Sequence, residues 1–195
     1  MTTYAISEEP VPVTGIETSK LGMWVFLVSE IMFFTGLIGS YIVLRLGSAG
    51  WPAPGSVLNT PLLGINTTVL LTSSLTMALS LNAIQQGRPR SCVLFLLATA
   101  LLGLIFIVIK GLDYIHMIRH GFTISTNLFG SCYYLLTGFH ALHVLSGVIL
   151  ILTLAAGAAR GAYSPSHYGR IESSGLYWHF IDIVWVILFA ILCLV

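Results

Sequence analysis

Residues 178–185 read WHFIDIVW and open an apolar run that continues to Val195. On an α-helix His179 and Asp182 would lie on one face, because residues three apart are neighbours. A charged group at the centre of a bilayer costs about 2.5–3.5 kcal/mol on insertion scales, so such groups usually face the protein interior and find partners there. The stretch therefore predicts a membrane helix with polar side chains on one face.

Two other apolar segments carry ionisable side chains. Lys110 and Asp113 lie three residues apart in one of them, and Glu30 lies in the other. The lysine and the aspartate can pair within a helix, which partly offsets their desolvation, and the lysine lies close enough to a helix end to reach the membrane surface. Glu30 is interpreted either as a proton-exchanging group or as an interior carboxyl held by one hydrogen bond to a neighbouring helix.

The composition is typical of an integral membrane protein. Hydrophobic residues make up 56% of the 195 residues and charged residues only 8%, against about 25% charged residues in soluble domains. Five stretches reach the roughly 20 mainly apolar residues that a spanning helix needs. They cover residues 22–46, 61–86, 91–118, 127–159 and 171–195. The predicted fold is an all-α integral membrane bundle of five transmembrane helices, with a polar N-terminal tail over residues 1–20 and a single domain over residues 21–195.

Basic residues at the ends of these helices are divided unevenly between the two sides of the membrane. One side has Lys20, Arg88, Arg90, Arg160 and Arg170, and the other has Arg45 and Arg119. By the positive-inside rule this distribution predicts a cytoplasmic N-terminus and an external C-terminus. Eight basic and seven acidic residues in total leave no basic face for a nucleic acid.

The fourth predicted helix carries two histidines, His140 and His143, three residues apart. Together with His179 they could supply three imidazoles to a metal or a haem. No carboxylate or cysteine lies at a convincing ligand spacing, so hydrogen-bonded interior histidines, paired with Asp182 or Glu30, are the favoured interpretation. We therefore assign no catalytic residue and no metal ligand.

Tryptophans and hydroxyl groups complete the set of notable side chains. Trp24, Trp178 and Trp185 lie mostly near predicted helix ends, where aromatic rings often anchor a protein at the headgroup level. With Asn59 they are candidate lipid or interface anchors. The second predicted helix is rich in serine and threonine between residues 67 and 76, and these hydroxyls are expected to bond their own helix or a neighbour rather than line a conduction pathway.

Four blocks of sequence occur in a characteristic order. They are SEIMFFTG at residues 29–36, LNT at 58–60, TGFHALHV at 137–144 and YWHFIDIVW at 177–185. In this order they resemble the cytochrome c oxidase subunit 3 family, subunit III of the haem–copper oxidases, in its short five-helix bacterial form. Two positions depart from the family pattern, since Ala141 stands where glycine is common and Asp113 stands where glutamate is frequent.

The resemblance implies a non-catalytic subunit of a proton-pumping terminal oxidase that reduces O₂ to water in aerobic respiratory electron transport. It implies that the chain stabilises subunit I, its main contact, lies in the same complex as subunit II, and supports proton uptake. The haems and copper would belong to those partner subunits, and this chain would bind no redox cofactor itself, although structural phospholipid is expected in a cleft between its helices. The implied location is the bacterial inner membrane.

Three alternatives stay open at this point. Subunit III of a quinol oxidase and an accessory protein of nitric oxide reductase share the short form, so the electron donor is undetermined. An independent haem or metal oxidoreductase would use His140, His143 and His179. A proton-coupled carrier would use Glu30 and Asp182, but the inverted repeats and broken helices that are the usual signs of carriers are not found in the sequence.

Overall fold

Five long α-helices and one short one make up the computed structural model, which describes residues 18–48, 50–52 and 54–194. The helices are α1 (Thr18–Leu46), α2 (Pro54–Val57), α3 (Thr60–Gln85), α4 (Pro89–Arg119), α5 (Leu128–Ala159) and α6 (Gly169–Phe189), and α6 continues as a π-helical segment over Ala190–Leu194. The five long helices are long and apolar enough to cross a membrane, which confirms the predicted all-α fold with five transmembrane helices.

Two predicted boundaries differ from the structure. Residues 1–17 of the predicted tail lie outside the described residues, and residues 18–20 already form the first turn of α1. The glycine- and proline-rich stretch after α1 contains the short helix α2, because the proline at position 54 has a fixed φ that suits a first helical turn. The connection between α1 and α3 therefore contains one helical turn.

The starts of α3 and α5 are capped by asparagine side chains. Asn59 Oδ1 accepts a hydrogen bond from the Leu62 N–H at 3.2 Å, and Asn127 Oδ1 accepts one from the Gly130 N–H at 2.7 Å. The first N–H groups of a helix have no partner within the helix, and a capping oxygen satisfies one of them. These two asparagines fix where the helices enter the bundle.

The ends of α3, α4 and α5 share one turn geometry. Each is followed by a glycine at positive φ, namely Gly87, Gly121 and Gly161 at 69°, 79° and 76°. After α3 the Arg88 N–H donates back to the Ala83 carbonyl at 2.9 Å, and the corresponding bonds after α4 and α5 measure 2.9 and 3.0 Å. This is the Schellman arrangement, which satisfies the last carbonyls and reverses the chain within a few residues.

α6 lies at the centre of the bundle and α1 at its edge. α3 packs along α4, α4 packs along α5, and α6 contacts α3, α5 and α1. In the most apolar window of α6, 44% of the residues are buried, against 11% in the corresponding window of α1. Side chains that project from α6 are therefore placed to reach most of the other helices.

The indole of Trp178 fills a slot between α4 and α5. A Cβ atom added to Gly147 would lie 2.8 Å from Trp178 Cζ3, and one added to Gly103 would lie 2.7 Å from Trp178 Cη2. No real Cβ approaches other atoms so closely, so both positions must be glycine for the indole to fit. Small residues of this kind let membrane helices pack closely.

Candidate functional site

α3 and α6 are joined by indole–hydroxyl hydrogen bonds. Trp178 Nε1 donates to Ser73 Oγ at 3.0 Å, and Trp185 Nε1 donates to Thr67 Oγ1 at 3.0 Å. The two hydroxyls in turn donate to carbonyl oxygens of their own helix, at 2.5 and 2.8 Å. A hydroxyl can donate one bond and accept others, so each one serves both its own helix and its neighbour, as the sequence predicted.

Trp178 and Trp185 therefore do not lie where their sequence positions suggested. They are 1% and 2% exposed and lie inside the bundle, so the expectation that they anchor the protein at lipid is wrong for both. Indole N–H groups need a partner when they are buried, and the hydroxyl side of α3 supplies one for each. Trp24 is 53% exposed and remains a candidate anchor, whereas the side chain of Asn59 is used as the cap of α3.

His179 and Asp182 lie on one face of α6, as their spacing predicted, and that face is turned to α3. His179 Nδ1 lies 2.5 Å from Ser74 Oγ, and the same hydroxyl lies beside the Asp182 carboxyl group. Asp182 is buried, and neither of its oxygens has a well-formed hydrogen bond in the described part of the chain. The three side chains form a polar cluster at the contact between α3 and α6.

Glu30 and His143 connect α1 to α5. Glu30 Oε2 lies 2.9 Å from His143 Nε2, and His143 Nδ1 lies 2.7 Å from the Phe139 carbonyl oxygen. A carbonyl can only accept, so Nδ1 must carry a proton, and the contact between Nε2 and Oε2 then shares one further proton. Whether Nε2 or Oε2 carries this shared proton, the pair has no net charge. Both side chains are only partly buried.

Lys110 and Asp113 pair within α4, as predicted, but the lysine does not reach the membrane surface. Lys110 Nζ lies 3.1 Å from Asp113 Oδ2 and also donates to the Tyr133 hydroxyl, which itself donates to Asp113 Oδ2 at 3.1 Å. The ammonium lies 4.4, 5.0 and 5.8 Å from the ring centroids of Tyr133, Tyr114 and Trp185. Aromatic faces attract a cation, so the lysine is held inside the bundle.

Sequence reasoning missed Tyr133 as the third member of this network. The tyrosine is on α5, 20 residues beyond Asp113. A hydrogen bond across two helices depends on their relative rotation, which no spacing in a single sequence reveals. Burial of the lysine could have been suspected only from the number of aromatic residues on α4 and α5.

The three histidines that could have formed a metal site point at different partners. His140 is fully buried, with its ring stacked on Trp185 at 4.8 Å between centroids and at right angles to Phe106 at 5.6 Å. Neither of its ring nitrogens has a hydrogen-bond partner among the described residues, which contradicts the expectation of a satisfied histidine. His143 bonds Glu30 and His179 bonds Ser74.

The ligand set proposed for an independent metal or haem protein is therefore not assembled. Within residues 18–48, 50–52 and 54–194, no group of three or more histidine, cysteine, aspartate or glutamate side chains is placed to hold a metal ion.

A cavity of about 750 Å³ opens between α1, α5 and α6, at the end of the bundle where α6 begins. Its lining includes Met23, Leu150 and other apolar groups together with the exposed residues Arg160 and Arg170. Ser173 also lines it, and the buried hydroxyl of this residue has no hydrogen-bond partner in the part of the chain that the structure describes. Sequence reasoning had counted both arginines only for membrane orientation.

Comparison with known proteins identifies related chains over nearly the whole sequence. The profile of the family described as "Cytochrome c oxidase subunit III" matches residues 10–194. The chain is 34% identical to the cytochrome c oxidase subunit 3 of Corynebacterium diphtheriae over 173 residues, which cover 87% of this chain and 84% of that protein.

Two further relatives are equally informative. A probable cytochrome c oxidase subunit 3 of Mycobacterium leprae is 37% identical over 174 residues, covering 89% of this chain and 86% of that one. The cytochrome c oxidase subunit 3 of a Synechocystis species is 39% identical over 176 residues, covering 89% and 74%.

Proposed function

Because the chain belongs to the cytochrome c oxidase subunit III family, and is therefore a multi-pass membrane subunit of a haem–copper oxidase complex, we propose that it works without redox centres of its own. In this proposal it stabilises subunit I, contacts subunit II in the same complex, and supports proton uptake while the complex reduces O₂ to water. The haems and copper reside in the partner subunits, and the complex lies in a bacterial inner membrane. Residues 21–195 act as one domain.

The proposed structural role is supported by the way in which the ionisable groups inside the membrane pair with one another. Glu30 pairs with His143 across two helices, and Lys110 pairs with Asp113 beside Tyr133. Such groups are costly in a bilayer and usually mark a function, and here they hold helices together. The long apolar faces that α1 and α4 leave exposed would then be available for lipid and for subunit I.

Support for proton uptake comes from the contact between Glu30 and His143. The two groups share one proton without net charge, so that proton can shift between them without creating an unpaired charge in the membrane. Both side chains are partly exposed at the edge of the bundle, where a neighbouring subunit can reach them. We propose that this pair exchanges protons with a surface of subunit I.

The proposed orientation has a cytoplasmic N-terminus and an external C-terminus. Lys20 Nζ lies 2.8 Å from Glu172 Oε2, so the starts of α1 and α6 lie at one end of the bundle. That end also carries Arg88 and Arg160 in the α3–α4 and α5–α6 connections, and Arg90 and Arg170 in the first turns of α4 and α6. A surplus of basic residues is typical of the cytoplasmic side.

Assembly of the complex tests the structural role. We expect His179→Phe and Asp182→Asn to reduce the amount of this chain that co-purifies with subunit I in mild detergent, because both variants disturb the contact between α3 and α6. Electron transfer in the complexes that do assemble should be unchanged. The measurement is the ratio of the two subunits on a gel, together with oxidase turnover per haem.

His167→Phe is the matched control for this experiment, since His167 lies exposed in the loop before α6. Full retention of the His179→Phe and Asp182→Asn chains would contradict the structural role. The metal content of the same preparations separates the possible electron donors, because a dinuclear copper centre in a partner subunit indicates cytochrome c rather than quinol.

We further propose that the cavity between α1, α5 and α6 binds a structural phospholipid. Two arginines in a largely apolar lining match an anionic headgroup with its acyl chains, and arginine is well suited to bidentate bonds with phosphate. Replacing Arg160 and Arg170 together by glutamine should lower the anionic phospholipid retained per complex after detergent exchange. Arg88→Gln with Arg90→Gln removes the same charge from another loop and should leave the retained lipid unchanged; equal losses in both double variants would refute the site.

A further inference from the structure

The C-terminal end of α4 carries two histidines that belong to none of the contacts described so far, His116 in the last turn and His120 at the C-cap. His116 and His120 are four residues apart, which places them on one face of a helix. Their ring centroids are 4.4 Å apart with the planes tilted by 55°. Both side chains are exposed. Two imidazoles at this spacing can approach one cation from the same side, as in helical zinc motifs.

The surroundings of the pair favour a cation. The two histidines line a cavity of about 380 Å³ together with Val57, Met117 and Phe122, so its other walls are apolar. The pair also lies at the C-terminal end of α4, where the helix dipole places partial negative charge. Arg119 is the cationic neighbour on the same turn, and its exposed side chain is long enough to extend its charge into water.

We propose that His116 and His120 bind one divalent transition-metal cation, with Zn²⁺ as the representative ion. Neutral imidazole suits zinc, copper and nickel, and water molecules would complete the coordination in the open cavity. No third histidine, cysteine or carboxylate completes a group here among the described residues, so the site is of the open, exchangeable kind rather than a closed structural one. The proposal does not depend on the role of the chain in the oxidase.

Equilibrium dialysis of the full chain in detergent micelles against Zn²⁺ tests the proposal. We expect one saturable equivalent of Zn²⁺ per chain. His116→Ala and His120→Ala should each lower the Zn²⁺ affinity by about tenfold or more, since even the loss of a residue that only hydrogen-bonds a metal ligand lowers metal affinity by about 10–100-fold. His167→Ala removes an exposed histidine from the loop before α6 and should leave the affinity unchanged. Circular dichroism of each variant checks that the helices are intact.

A second measurement identifies the ligands directly. Cu²⁺ added to the same full chain should give an electron paramagnetic resonance spectrum with coupling to two nitrogens, reduced to one nitrogen in either single variant. Unchanged Zn²⁺ affinity in the double variant His116→Ala/His120→Ala would overturn the proposal. So would a Cu²⁺ spectrum without nitrogen coupling, or dialysis that shows no saturable Zn²⁺ even at millimolar concentration.

Discussion

Replacing Asp113 by asparagine is expected to lower the free energy of unfolding of the bundle by about 3–5 kcal/mol, the range for breaking a buried ion pair on one side. The variant keeps the shape of the side chain but leaves the Lys110 ammonium, which is 2% exposed, without its counter-charge. The Tyr133 hydroxyl and the surrounding aromatic rings remain, but they carry no full negative charge. The loss of unfolding free energy is measured by unfolding the purified chain in increasing concentrations of a denaturing detergent and following its circular dichroism.

The chain contains a matched control for this change. Glu172→Gln makes the same carboxylate-to-amide replacement in the partly exposed pair with Lys20, where an ion pair contributes at most about 1 kcal/mol. A second variant, Lys110→Met combined with Asp113→Asn, removes both charges and should be more stable than Asp113→Asn alone. If Asp113→Asn and Glu172→Gln lowered the free energy of unfolding equally, the buried ion pair would stabilise the bundle no more than the partly exposed one.

A single methyl group at Gly147 should have the next largest effect. Its Cβ would overlap Trp178 Cζ3 at 2.8 Å and Cε3 at 2.9 Å, and the indole cannot turn aside without losing its bond to Ser73. Overpacking of a close-packed interior typically costs about 1–3 kcal/mol. We expect Gly147→Ala to fall in that range and Gly103→Ala, which meets the other edge of the same ring, to behave similarly.

Gly138→Ala is the control in the same helix, because no described atom lies within 4 Å of the added Cβ. It should be neutral or slightly stabilising, since alanine favours a helix over glycine by about 1 kcal/mol. In a Trp178→Phe background the smaller ring should leave room for the methyl group, so Gly147→Ala should then have little further effect. Equal losses from Gly147→Ala in both backgrounds would show that the indole is not the obstacle.

The helices could be predicted from the sequence because the membrane imposes a simple rule on the backbone. A chain in hydrocarbon must satisfy its N–H and C=O groups internally, so each sufficiently long apolar stretch is a helix. The boundaries were less certain, since α1 begins at Thr18 and α2 interrupts the loop after it. Capping asparagines and turn glycines were visible in the sequence, and they mark the helix ends more closely than hydropathy does.

The partners of the polar residues were only partly predictable. Contacts within one helix follow from spacing, which is why Lys110 and Asp113 were found together. Contacts between helices depend on which face each helix turns to its neighbour. The bond between Glu30 and His143 was one of two alternatives considered, whereas the pairing of His179 with Ser74 and the orphaned ring nitrogens of His140 required the packed bundle to be seen.

The edge position of α1 has a consequence for how the protein is made. The side chains of α1 that bond the bundle meet partners far along the chain, as when the Tyr41 hydroxyl donates to the Ile191 carbonyl, 150 residues later, at 3.1 Å. During synthesis α3 and α4 can form their hairpin as soon as both have entered the bilayer, because their contacts are local. α1 is synthesised before this hairpin, but its main partners, α5 and α6, are synthesised after it. Of the five long helices, α1 is therefore expected to dock last, although it is synthesised before the other four.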